Sequence, residues 1–269
     1  GNSNLDGYST GHARILPLDI NSIDRFMQNV KEFMSEINNI VVSLPKFLIV
    51  FYVSIIIIFS FKLFIKRKNN MAAILFSVLA PFLCLIFTFV HLCVLQNPVL
   101  GARVLLSFCG FMLFLSYCAY NCLGKFSTYA LFPLVCFCFF VSYSYGNASA
   151  AQNRIDTFVA SSIAFDEAHY NGRFKNLSII GRMPEARQRT LIVKKLPMMD
   201  AFIPIYMDNT SCWGGELLKS FLVKEDQVDA DASDFAFINK NKPFTQSEIY
   251  KLYDNQGKFI VVFSENSGG

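Results

Sequence analysis

Residues 44–145 contain no aspartate and no glutamate, and only seven lysines and arginines. A stretch that long without acidic groups cannot supply the surface of a water-soluble domain. It also lacks the paired intramembrane carboxylates on which proton-coupled transporters rely, which argues against a channel or transporter. No phosphate-cradling glycine-rich loop, nucleophile elbow, His-Glu metal signature or Ser/His/Asp spacing occurs anywhere in the chain. No cofactor and no metal ion are therefore expected. Cysteine outside the apolar stretch is nearly absent: Cys212 alone lies in the polar C-terminal region, so that region must hold together by packing rather than by disulfides of its own. The other seven cysteines sit in apolar helices, where thiols behave as small apolar groups.

What fills the acid-free stretch is hydrocarbon. Four runs, at about residues 44–65, 71–94, 103–122 and 129–146, are long enough to cross a bilayer core, which takes roughly 20 apolar residues as helix. The expected fold class is a membrane α-helical bundle of about four transmembrane helices plus a small extracytoplasmic α/β domain. The expected divisions are residues 1–42, an extracytoplasmic loop and amphipathic helix; 43–146, the transmembrane region; and 147–269, the extracytoplasmic domain. Residues 1–42 carry three basic and five acidic groups, and residues 147–269 carry fourteen and fifteen. The net charge of +4 thus originates in the membrane block, and no nucleic-acid partner is expected.

Orientation follows from the basic residues. Lys62, Lys66, Arg67 and Lys68 cluster at the first short loop and Lys125 sits in the third, whereas the second loop has no charge before Arg103. Cytoplasmic loops collect Lys and Arg, which puts loops one and three inside and both termini outside. Lys46 points the other way, and Lys62 and Arg103 also read as helix-end residues that snorkel.

In the polar parts, the apolar positions Ile23, Phe26, Met27, Val30, Phe33, Met34 and Ile37 recur at helical spacing. They predict an amphipathic helix over 21–40, capped by Asn21 or Ser22 and lying on the membrane surface or on the exterior domain. After Gly146 the pattern predicts a helix from Asn147 to about His169, a strand over 176–181 and a helical or extended stretch over 185–196. A strand over 201–207, a short helix over 215–222, a helix opened by a Thr245-x-x-Glu248 capping box and a strand over 258–263 follow. The acidic segment 225–234 reads as a solvated loop, because it lacks the glycine turn and closing glutamate of a calcium loop.

Several residues are candidates for chemistry. His12 and Arg14, in the exterior loop, can present a base or a phosphate contact, or simply be solvated. His91 stands near the outer end of the second run, either functional at membrane depth or reaching water. Arg103, the only charge in the loop Gln96-Asn97-Pro98-Val99-Leu100-Gly101-Ala102-Arg103, can clamp a phosphate with its two-pronged guanidinium or anchor to lipid headgroups. Asn153, Arg154 and Asp156 fall in the first turns after the fourth run, close to the membrane. Trp213 can stack on a sugar ring or sit in a core.

These features in this order resemble the C-terminal half of the serotype-converting O-antigen glucosyltransferases, bacterial and phage inner-membrane proteins. The likeness covers roughly residues 45–222: short-looped Phe-rich spans, an exterior Arg after Asn97-Pro98, a fourth span running through Tyr145-Gly146-Asn147-Ala148 to Gln152-Asn153, then Ile179-Ile180-Gly181 and Trp213. The resemblance implies a GT-C-like membrane glycosyltransferase active in O-antigen modification and serotype conversion. Such an enzyme transfers glucose from undecaprenyl-phosphate glucose to lipopolysaccharide O-antigen on the periplasmic side. It implies that Arg103 compensates the donor phosphate, that His12, Arg14, Asn153 and Arg154 are rim contacts and that Trp213 meets a sugar. The general base belongs to an exterior loop expected upstream of Gly1, so the chain reads as a C-terminal fragment. The competing expectation is a non-catalytic binding or assembly module on a membrane anchor.

Overall fold

A computed structural model describes residues 14–17, 19–66, 71–96, 98, 108–170, 173–209 and 213–263. The chain is mostly helical with one small mixed sheet. It divides into two compact units, Gly1–Ser144 with Val193–Phe202, and Tyr145–Ile192 with Ile203–Gly269.

In the first unit α1 (Asn21–Ser43) is followed by α2 (Lys46–Lys66), α3 (Met71–Phe87), α4 (Val90–Cys93) and α5 (Phe108–Leu123). A 3-10 turn, Gly124–Phe126, then leads into α6 (Ser127–His169). The expected amphipathic helix is present and three residues longer than its periodicity indicated. Its first turn is steadied by Asp19 rather than by Asn21 or Ser22: the Asp19 carboxylate accepts from the Ser22 amide at 2.8 Å. Its inner face places Phe33 and Ile37 against Phe89 and Cys93.

Helix α2 is apolar all round, yet only Leu48, Tyr52, Ile55 and Phe59 are buried, against Leu115, Cys118 and Ala119 of α5. Phe47, Val50, Ile57, Ile58, Phe61 and Ile65 remain exposed. A helix that is hydrophobic on every side but covered on one is suited to a lipid environment. Among the described residues two helical stretches, Lys46–Lys66 and Gly110–His169, are long and apolar enough to cross a membrane.

The other expected spans differ from their sequence boundaries. The run 71–94 is interrupted: α3 ends at Phe87 after 17 residues, the amides of Thr88 and Phe89 turn back to Leu85 and Ile86 in a tighter pattern, and Phe89 leaves helical geometry before the one-turn α4. The start of the third run, residues 103–107, lies outside the described residues, and its helix is described from Phe108 to Leu123. The helix expected to begin at Asn147 does not begin there. Helix α6 runs unbroken for 43 residues through Gly146 and Asn147, because the alanines that follow favour continuation and nothing crowds Gly146.

The second unit is built on a five-stranded sheet in the order β2-β1-β5-β4-β3. Its strands are β1 (Asn176–Ile180), β2 (Asp226–Gln227), β3 (Thr245–Gln246), β4 (Tyr250–Asn255) and β5 (Lys258–Phe263). β1 is parallel to both β2 and β5, and β3, β4 and β5 form an antiparallel meander. The β4–β5 turn is two residues long, with positive φ at Gln256 (52°) and Gly257 (88°), the hand that matches strand twist. Helices α7 (Arg187–Lys195), α8 (Met199–Phe202), α9 (Trp213–Lys219) and α10 (Ala232–Lys240) complete the chain. One sheet face packs Leu177, Ile179, Leu252, Phe259 and Val261 against Val159, Ala160 and Ile163 of α6 and Leu218 of α9. The other packs Ile180, Tyr253 and Ile260 against Phe237 and Ile238 of α10.

Three local expectations fail here for identifiable reasons. Residues 201–207 form no ladder strand: Pro204 has no N–H to donate, the Ile203 carbonyl accepts from the Arg189 side chain, and the Met207 carbonyl accepts from the Met183 amide at 2.9 Å beside an isolated Arg182–Asp208 bridge. Thr245 does not cap a helix, because Thr245 and Gln246 pair with Leu252 and Lys251 in β3. The capping box is instead Asp231 with Asp234, which opens α10 from within the acidic segment expected to be a solvated loop.

Candidate functional site

In the first unit the chain around Arg14 folds back on the second loop. The Leu16 amide donates to Val94 O at 2.8 Å and the Gln96 amide donates to Arg14 O at 2.9 Å, closing an Ile15–Leu95 bridge. From α1, Arg25 Nε donates to Gln96 O at 3.0 Å. One turn further, the buried Asn29 amide donates to Cys93 O at 3.0 Å and to Leu95 O at 2.8 Å. Residues 14–16 and α1 therefore converge on the backbone of residues 93–96, far along the chain from both. The Asn29 amide groups stitch α1 to it, and Arg14 presents an exposed side chain beside it. The Arg25 guanidinium is held at this corner and the exposed Arg14 departs from it, a basic rim suited to a phosphate. His12 and Arg103, which flank these segments in sequence, lie outside the described residues. The Lys62 ammonium donates to the Asn121 carbonyl near the end of α5, at 2.8 Å.

His91 is exposed on α4 of the first unit, and the remaining sequence candidates belong to the second unit. Asn153 and Arg154 are exposed on α6. Trp213 opens α9 at 36% exposure, and the following Gly214 is packed against Ile179.

The opposite face of α6 holds a group that sequence reasoning placed near the site but did not single out. Gln152 and Asp156 are 2% and 4% exposed. Gln152 Nε2 donates to Asp156 Oδ1 at 2.8 Å and Gln152 Oε1 accepts from the Ala186 amide at 2.9 Å. Nearby, the buried Arg189 donates through Nε to Ile203 O at 2.7 Å and through Nη1 to Glu185 Oε2 at 2.7 Å. This polar half of α6, beyond residue 146, belongs to the second unit and not to the apolar run. Burial raises the Asp156 carboxyl above the usual carboxylate range, and the Gln152 hydrogen bond and the Arg189 charge only partly oppose that. The legible signal was the spacing of Gln152 and Asp156 with Ile155, Val159, Ala160 and Ile163, which sets an acid on an apolar helix face.

Among the described residues no three His, Cys, Asp or Glu side chains come together to hold a metal ion. No family model, no curated protein and no solved structure matches this chain.

Proposed function

We propose that the chain is part of a membrane glycosyltransferase of the bacterial inner membrane. It transfers glucose from an undecaprenyl-phosphate-linked donor to lipopolysaccharide O-antigen on the periplasmic side. In this reading four helices, near residues 44–65, 71–94, 103–122 and 129–146, cross the bilayer, and both termini and residues 147–269 face the periplasm. The observation that carries the reading is the convergence of Arg14 and Arg25 on Gln96, in the loop that leads to Arg103. A polyprenyl-phosphate sugar presents its phosphate at the membrane face, where arginines carried on these segments can bind it in bidentate fashion. Arg103 is the principal donor contact, with His12, Arg14 and Arg25 around it. Asn153, Arg154 and Trp213 serve the acceptor saccharide.

The test is transfer of labelled glucose from polyprenyl-phosphate glucose to O-antigen in membranes that carry the full-length gene. Arg103→Ala and Arg25→Ala, at normal expression, are expected to raise the donor KM at least tenfold, the effect of losing one charge-assisted contact of about 1.5–3 kcal/mol. No transfer by a well-expressed wild type, across a range of sugars, sinks the proposal. The second reading, a non-catalytic extracytoplasmic binding or assembly module on a membrane anchor, is favoured by the second unit's complete apolar core around its own sheet.

A further inference from the structure

Residues on either side of Val193–Phe202 belong to the second unit, but this segment belongs to the first, with Gly1–Ser144. Its Met198 amide donates to Ser43 Oγ at 3.2 Å, and Leu196, Met198 and Met199 are buried. Ser43 closes α1, and α2 starts three residues later at Lys46. The contact therefore fastens the end of α7 to the corner between α1 and α2.

That corner is basic. Lys194 and Lys195 close α7, Lys46 opens α2, and all three are exposed. Lys195 and Lys46 are each three residues along the chain from their end of the Met198–Ser43 contact, so their Cα atoms lie within about 11 Å of it. Among the described residues none of the three lysines has an ion-pair partner. Asp200 is the only carboxylate in Val193–Phe202, which leaves an excess of two positive charges over this segment and Lys46.

The corner is also the edge of an apolar surface. Phe47 and Val50 are exposed in the first turns of α2, and Val41 and Val42 are exposed at the end of α1. An α2 that crosses a bilayer starts here at headgroup depth, where lysines on flexible stems reach phosphate and the adjoining apolar side chains reach hydrocarbon. An acidic protein surface would satisfy the charges but not the apolar side chains between them.

We propose that this corner binds the headgroups of anionic glycerophospholipids, with Lys46, Lys194 and Lys195 as the phosphate-facing cations, and so holds residues 193–202 at the bilayer surface. The inference rests on α2 crossing a bilayer, not on glucosyl transfer.

The full chain in liposomes is irradiated with trace phosphatidylglycerol or phosphatidylcholine that carries a photoreactive group beside the headgroup, and the labelled peptides are read by mass spectrometry. At about fivefold for each excess positive charge, wild type is expected to label the peptides around Lys46 and Lys194–Lys195 roughly 25-fold more with phosphatidylglycerol. Each single lysine-to-glutamine change is expected to cut that preference about fivefold, and Lys46→Gln, Lys194→Gln and Lys195→Gln together to abolish it. Labelling around Lys66, at the other end of α2, is expected to stay at the wild-type level and reports correct insertion. Equal labelling of the corner by the two lipids in wild type, or a triple variant that keeps the preference, would overturn the proposal. Displacement by millimolar inorganic phosphate, or by polyprenyl phosphate at a lower concentration than unlabelled phosphatidylglycerol, would also overturn it and make the corner a free-phosphate or donor site. Absence of labelling at both ends of α2 would overturn the bilayer crossing on which the proposal rests, whereas failure to transfer glucose would leave it standing.

Discussion

The Lys258 ammonium on β5 meets the carboxylate of Asp234 in the first turn of α10, and Asp234 is fully buried. The same carboxylate also accepts from the Asp231 amide at 3.1 Å and from Ser178 Oγ at 3.4 Å. One side chain thus completes a helix cap, pairs a lysine and spans from β1 to β5.

Asp234→Ala should therefore be among the most damaging substitutions in the second unit, costing about 3 kcal/mol because Lys258, only 16% exposed, loses its principal partner. Lys258→Met added to Asp234→Ala should recover part of that loss by removing the stranded charge. The single tryptophan, Trp213, reports on this unit in denaturant melts. A double variant no more stable than Asp234→Ala alone would show that the cap, not the ion pair, carries the energy.

Asp156 sets a pH dependence whose sign follows from burial. Its folded carboxyl has a raised pKa, so the folded state holds its proton to higher pH than the unfolded state does. Stability from this group is present below the unfolded value of about 3.9 and is lost as pH rises through the raised folded value. Asp156→Asn keeps an acceptor for Gln152 and removes the buried charge. It should stabilise the second unit at pH 7 relative to wild type, by an amount that shrinks towards pH 4. Melting temperatures across that range check it. A variant less stable than wild type at pH 7 would mean that attraction to Arg189 outweighs desolvation.

Those two carboxylates show where sequence reading reaches its limit. The periodicities of α1, β1 and β5 follow from side chains that face one core, and each was legible to within a few residues. Asp156 was legible in principle, as a carboxylate at helical spacing with Val159 and Ile163. Asp234 was not: in an acidic run every carboxylate looks solvated until the fold brings Lys258 against one of them. Thr245-x-x-Glu248 satisfies the local rule for a helix start, and only pairing with β4, fixed by the Gln256–Gly257 turn, makes it a strand. The convergence of Arg14 and Arg25 on Gln96 likewise joins segments about 70 residues apart.

Gly214 is required for space. A Cβ added there would lie 2.6 Å from Ile179 Cδ1, 3.2 Å from Tyr206 O and 3.3 Å from Met207 Cα, so both a side chain and backbone would have to move. Gly214→Ala should lower the stability of the second unit by about 1–3 kcal/mol despite alanine's better helix propensity. Gly110→Ala, in α5 with nothing within 4 Å of the added atom, should be neutral or stabilising. Equal melting temperatures for Gly214→Ala and wild type would show that Ile179 moves aside at little cost.

The exposed side of α2 discriminates between lipid and water. Ile57 is 63% exposed and Ile55 is 3% exposed, two residues apart on a helix with no acidic group in it. On a helix in water, an exposed Ile57→Asp changes stability by less than about 0.5 kcal/mol. On a helix in hydrocarbon it costs about 2.5–3.5 kcal/mol, because the carboxylate must shed its water without a partner. The membrane-embedded reading therefore predicts that Ile57→Asp sharply reduces the alkali-resistant membrane fraction of the expressed chain, while Ile57→Leu leaves it unchanged. Ile55→Asp disrupts the contact with α5 in either solvent and controls for general damage. If Ile57→Asp accumulates in the membrane fraction at the wild-type level, the exposed face of α2 does not meet lipid acyl chains, and the bilayer assignment of this helix fails with it.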